Sequence, residues 1–276
     1  MDFIEYKKNL ESIIPKSVSR EAVNNAFNSF SNSLPEILEE ISKEDNILDV
    51  GCGAGFIINY LSLMGYKVDG FDKYLYSSST KKMNFSINKE EKFNNCSIAG
   101  FKSNTKYDLI FLNNVVEHLD DWKTDVEHLN NLLSSNGRII FLFPNYNFPL
   151  EPHFMIPIFF TKNLTYKLFR MKIKKFEEKN GKTGLWDSLN FIKPQEIKNY
   201  YKERSYNASF DKEHFCRLII RTIKMNRNES SQHKNNFLRN LLVLLGQVFI
   251  SLKIIFIFKY LPLGLHPFVK LTVRNP

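Results

Sequence analysis

Residues 47–56, Ile-Leu-Asp-Val-Gly-Cys-Gly-Ala-Gly-Phe, decide the fold. The apolar run Asn46–Val50 reads as a short strand that delivers the chain into Gly51, Gly53 and Gly55. Directly after them, Phe56–Met64 reads as a helix stopped by Gly65. Glycines let the backbone turn tightly and come close to a ligand, and a helix start offers unpaired N–H groups in front of it. Strand, glycine turn and helix together describe a loop built to hold something.

Outward from this loop the element types alternate. Lys67–Phe71 reads as a second strand, Asn95–Ile98 as a weaker third and Tyr107–Leu112 as a strong fourth. A helix over Trp122–Leu133 and the turn Ser135-Asn136-Gly137 precede the apolar strand Arg138–Phe143. Such alternation predicts a parallel sheet covered by helices on both faces. A dinucleotide-binding turn would read G-x-G-x-x-G, but here that frame ends in Phe56. Asp49, two positions before Gly51, suits a cationic ligand better than a phosphate. Asp72, at the end of the second strand, can accept two hydrogen bonds from a ribose diol. Taken singly, the glycines could be a structural turn and Asp72 a helix cap.

Together these pieces resemble the class I S-adenosylmethionine-dependent methyltransferases. The resemblance rests on Asp49 with Gly51–Gly55, on Asp72, on YDLIFLNNVVEHLDD (107–121) and on NGRIIFLF (136–143). It implies a Rossmann-like, doubly wound α/β sheet of seven strands with the last strand antiparallel. Tyr206–Phe210 and Phe215–Ile223 fit as the closing pair. It also implies S-adenosyl-L-methionine as cofactor, with S-adenosyl-L-homocysteine as product. Gly51, Cys52, Gly53 and Gly55 would cradle its amino-acid part beside Asp49. Asp72 would hold the ribose, Lys73 would lie by the adenine, and Asn113 and Val115 would line the methionyl side. Ile98-Ala99-Gly100-Phe101 lacks the acidic residue with which many members bind the adenine amine, so backbone groups or stacking on Phe101 would have to substitute.

Methyl transfer to a hydroxyl benefits from a general base. His118, in Glu117-His118-Leu119 after the fourth strand, and His153, in Glu151-Pro152-His153-Phe154 after the fifth, both fall at the carboxyl edge where ligands bind. His153 is favoured because it sits in the insertion that would cover the acceptor. The bland alternative is a pair of histidines that only make buried hydrogen bonds. The Glu-His-Leu block resembles that of quinone-biosynthetic O-methyltransferases, some of which are associated with a metal held by Glu-x-x-Glu-His. Asn114 stands in place of the first Glu, and Glu117 with His118 are too few ligands, so no metal is expected. The expected activity is O-methylation, with N- or C-methylation, or a non-catalytic cofactor-binding scaffold, as alternatives.

The chain divides into an N-terminal helical cap (1–45), a methyltransferase domain (46–225) with a substrate-lid insertion (144–193), and a basic, apolar helical tail (226–276) that finishes in an extended Pro262–Pro276. The net charge of +9 hides a polarity, because residues 1–150 carry 15 basic and 20 acidic side chains and residues 151–276 carry 23 and 9. The basic half therefore faces something anionic. Residues 162–182 interleave lysines with apolar side chains, and 237–276 are apolar and free of acids, so both stretches suit an anionic membrane surface. A solvated lid helix and a packing helix are the plain alternatives. Nucleic acid is not expected, because the aromatics form one apolar face rather than a stacking platform. The expected acceptor is a small molecule, a glycan or a lipid-linked compound. Three scattered cysteines (Cys52, Cys96, Cys216) and a start that does not read as a secretory signal make the cytoplasm the expected location, peripheral at the inner face of the membrane if the basic stretches engage it.

Overall fold

The computed structural model describes residues 3–14, 16, 18, 20–73, 93–230 and 246–275. Two helices, α1 (Phe3–Ile13) and α2 (Arg20–Leu38), precede the sheet. Then come β1 (Asn46–Val50), α3 (Phe56–Leu63), β2 (Lys67–Phe71), β3 (Phe93–Asn94), β4 (Tyr107–Asn113), α4 (Trp122–Asn130) and β5 (Leu133–Pro144). A hairpin of β6 (Leu150–Glu151) and β7 (Ile156–Pro157) leads to α5 (Lys162–Asn180) and α6 (Leu185–Ser188). The chain closes with α7 (Pro194–Lys202), β8 (Asn207–Phe210), α8 (His214–Ser230) and β9 (Phe268–Arg274).

The seven-stranded sheet has the order β3-β2-β1-β4-β5-β9-β8. β9 runs antiparallel to both neighbours, and the other strand pairs are parallel. Because side chains alternate along a strand, the central strands feed two cores. Leu48, Ile110 and Leu112 pack with Val126 of α4 and Ile197 of α7. Ile47, Leu109 and Phe111 pack with α1, α2 and α3. Burial on both faces explains why these strands read as continuous apolar runs. The insertion has a small core of its own, with Phe154, Ile156, Ile173, Trp186 and Leu189.

Three sequence expectations are corrected. Phe215–Ile223 is not a strand but lies within α8. Its helical spacing is set by Arg217 and Arg221, four residues apart, which both reach Glu36. The antiparallel strand is β9, so the extended finish of the expected tail is an interior strand of the sheet. The third strand lies at Phe93–Asn94 rather than Asn95–Ile98. Residues 231–245, which include the start of the apolar tail, lie outside the described residues. No helix among the described residues is long and apolar enough to cross a membrane.

A buried ionic knot fixes β9. Glu36 of α2 is fully buried and accepts from Arg217 Nε at 3.0 Å and Nη2 at 2.6 Å, and from Arg221. Lys270 of β9, also buried, reaches Glu36 at 3.4 Å and Glu40 at 3.1 Å. Burial pushes the Glu36 carboxyl upward, but hydrogen bonds from His214, Arg217 and Arg221 outweigh it and hold the group well below the usual range.

Candidate active site

The glycine turn sits where β1 ends. Gly51, Gly53 and Gly55 all have positive φ, at 71°, 55° and 75°. A Cβ on Gly51 would lie 2.4 Å from Val115 Cγ2, so both conformation and space demand glycine there. The amides of Gly51 and Cys52 donate to Phe71 O at 2.8 and 3.1 Å, stitching the turn to the end of β2. Nothing stands within 4 Å of a Cβ built on Gly53, so the turn presents open backbone to a ligand. The Gly53 amide donates to Asp72 Oδ2 at 2.9 Å. Asp72 thus lies beside the turn, and the exposed Lys73 follows it.

Asp49 is buried, and burial followed by the charge of Asp72 raises its pKa well above the usual value. Burial likewise raises the Cys52 thiol, which keeps it protonated and unsuited to nucleophilic work. Asn113 donates to Ser29 Oγ at 3.1 Å. Asn113 and Asn114, the latter at φ 54°, line a cavity of about 230 Å³ with Ser29, Asn32 and Ser33 of α2 and His214 of α8. Phe101 departs from expectation, because it is buried and stacked on Phe71 at 4.4 Å, so it belongs to the core rather than to an adenine platform.

The second group of residues lies beyond Val115. A single tight turn, Val116–His118, follows β4. Asn190 of the insertion staples it there, its amide donating to Glu117 O at 2.8 Å and its side chain to Val116 O and Leu119 O. This contact carries the hairpin side of the insertion against the sheet edge, and His153 meets His118 edge-on at 5.7 Å between ring centres. His153 Nδ1 lies 2.7 Å from Glu151 Oε1, and the other Glu151 oxygen accepts from the Phe154 amide at 2.8 Å. His118 Nδ1 lies 2.9 Å from Ser188 Oγ. Burial, then the charge of His153, depresses the His118 pKa to about 4. Glu117 is fully buried, and burial lifts its carboxyl to about 7.

The structure therefore brings the two expected histidines together, and gathers Asp49, Gly51, Cys52, Gly53, Gly55, Asp72 and Val115 around one turn. Ser188, Asn190 and the cavity residues of α2 were not singled out from the sequence. They carry no local motif and reach the site only through tertiary folding. The remaining histidines are packing residues where they are buried, as with His214 and His266.

Comparison with known proteins agrees with this fold. Residues 23–215 match the family described as methyltransferase domain. The Mycobacterium tuberculosis protein MT1557 (strain CDC 1551 / Oshkosh), itself uncharacterized, is 38% identical over 105 residues, which is 38% of this chain and 36% of that protein. Rv1509 of strain H37Rv matches identically, so the chain spans about a third of the length of the curated relatives it matches. The solved Haemonchus contortus phospholethanolamine N-methyltransferase 2, in complex with phosphomonomethylethanolamine and S-adenosylhomocysteine, superposes with a TM-score of 0.51 at 10% identity, over 97% of this chain and 60% of that one. The plantazolicin methyltransferase BpumL in complex with SAH gives a TM-score of 0.49 at 14% identity, over 99% and 90%. With the family matched over more than half its length, and with this sheet order and turn, the chain belongs to the methyltransferase domain family and has the class I S-adenosylmethionine-dependent fold.

Proposed function

We propose that this protein transfers a methyl group from S-adenosylmethionine to an oxygen of a small-molecule, glycan or lipid-linked acceptor. The observation that carries the reading is the His153–Glu151 pair, 2.7 Å apart and seated against His118 at the carboxyl edge of the sheet. When bound, the cofactor supplies a methyl carbon already activated by its sulfonium. What remains for the chain is to align the acceptor, exclude water and take a proton. The open backbone at Gly53 with Asp72, Lys73 and Asn113 fits the cofactor's two ends, and Asp49 places a buried carboxyl beneath the turn.

Glu151 accepts from Nδ1 of His153 and so leaves Nε2 as the nitrogen that can receive the acceptor's proton. His118, turned by Ser188, is the second candidate for that role. His153→Ala is expected to lower turnover by about 10² to 10⁴-fold while cofactor affinity stays nearly constant. Release of S-adenosylhomocysteine with a panel of phenols, sugars and lipid-linked sugars measures it. Full turnover in His153→Ala and His118→Ala would shift the acceptor atom to nitrogen or carbon, which needs less help from a base.

The lid helix supports an acceptor presented at an anionic surface. Leu168 and Met171 stand exposed on α5, with Phe160 just before it, among the exposed Lys167, Arg170, Lys174 and Lys175. Flotation with phosphatidylglycerol vesicles should fall several-fold in Leu168→Asp/Met171→Asp and vanish on neutral vesicles. Equal flotation of variant and parent would remove the membrane from this reading.

A further inference from the structure

The sequence by itself offers two metal-type ligands in Glu117 and His118, and the fold adds a third. Glu117, His118 and His153 each bring one donor atom to within 4.8 Å of the others. Neither carboxylate oxygen of Glu117 has a hydrogen-bond partner among the described residues, although the side chain is fully buried. A buried, unpaired carboxylate costs several kcal/mol unless a cation or a proton compensates it. Both imidazoles are already engaged at Nδ1, His153 by Glu151 and His118 by Ser188, which leaves Nε2 of each for another partner. This is the arrangement in which an outer partner orients a ligating histidine and leaves its other nitrogen for the ion. Glu151 is held in turn by the Phe154 amide, so the support extends one layer further.

We infer that Glu117, His118 and His153 form a binding site for a divalent transition-metal cation of the Zn²⁺ or Mn²⁺ class, with a position left open for the acceptor oxygen. Two imidazoles and one carboxylate suit such ions better than Mg²⁺, which favours oxygen ligands. The inference rests on the reading of this cluster as the acceptor-facing wall, and changes how the proton is lost. An acceptor hydroxyl bound to the ion releases its proton to solvent at lower pH than when free. Its oxygen then forms the new bond to the methyl carbon as the carbon–sulfur bond breaks, and the thioether keeps the electron pair. In that state the imidazoles hold the ion instead of receiving the proton. A chain of three residues drawn from β4's following turn and from the β6–β7 hairpin would also lock the insertion onto the sheet edge.

The test is metal content of the chain after exposure to Zn²⁺ or Mn²⁺ and desalting, read by mass spectrometry. About one ion per chain is expected for the parent, with near-complete loss in Glu117→Gln and in His118→Ala/His153→Ala. Glu151→Gln and Ser188→Ala should weaken Zn²⁺ affinity by about 10 to 100-fold. Retained S-adenosylhomocysteine affinity shows that each variant is folded. Where a variant fails that control, Co²⁺ absorption by the parent chain, displaced by Zn²⁺, decides instead. No retained ion in the parent, or equal retention in the variants, overturns the site. No ion together with lost turnover in His153→Ala removes the metal and keeps the base. One ion together with full turnover in His118→Ala/His153→Ala keeps the site and removes acceptor deprotonation.

Discussion

Glu36→Ala should be the most damaging single substitution for stability, at about 3–5 kcal/mol, because it strands the buried Lys270 and two half-buried arginines rather than deleting one contact. Arg217, Arg221 and Lys270 converge on this one carboxylate, and Lys270 is itself buried within β9. Against a total stability on the order of 5–15 kcal/mol, that loss lowers the melting temperature by roughly 10 °C. Glu39→Ala, at the exposed neighbouring position, should change stability by no more than about 0.5 kcal/mol. Thermal melts of the two variants check the contrast, and equal melting would mean that the knot is idle. The same group sets an acid limb. Its folded pKa lies below its ordinary 4.5, so the unfolded chain takes the proton first. The contribution is fully present above pH 4.5 and shrinks as pH falls below it, and Glu36→Gln should flatten that limb.

The second large effect is on cofactor binding. Asp72→Ala removes a carboxylate able to bond a ribose diol and leaves the Gly53 amide without the acceptor it has at 2.9 Å. Hydrogen bonds to a charged group contribute about 1.5–3 kcal/mol each, so a loss of about 100-fold or more in affinity for S-adenosylmethionine is expected. Gly53→Arg should abolish binding by another route. Its φ of 55° strains any L residue, and its side chain would occupy the open face of the turn. Calorimetry on both variants is the measurement. Unchanged affinity in both would refute the placement of the cofactor at this turn.

Apart from the two-residue edge strand β3, the sheet was legible from residue 47 to residue 143 because its strands are buried on both faces and its turn needs glycine, two demands that leave marks on local sequence. The closing strands were less legible. β9 carries Lys270 in its middle, and a lysine in a strand reads as exposed unless its partner, Glu36, is known to lie above it. In α8 the apolar run from Phe215 to Ile223 looked extended, while the arginine pair at positions 217 and 221 held the helical signal. At the site, the glycines, Asp72 and the two histidines were visible, since each follows a strand end. That His118 and His153 face each other was not. Their separation is set by Asn190, 37 residues downstream of His153, and no short motif encodes it.

The position of β9 bears on how the protein is made. β5 and β8 are not neighbours in the sheet, and the strand that joins them lies at residues 268–274. During synthesis, β5 therefore emerges with one hydrogen-bonding edge open and waits through more than a hundred further residues for its partner. Glu36 likewise precedes Arg217, Arg221 and Lys270 by 181, 185 and 234 residues, so its carboxylate waits for cations that are not yet made. Arrival of β9 then closes the open edge of β5 and brings Lys270 to the acid together, after the arginines of α8.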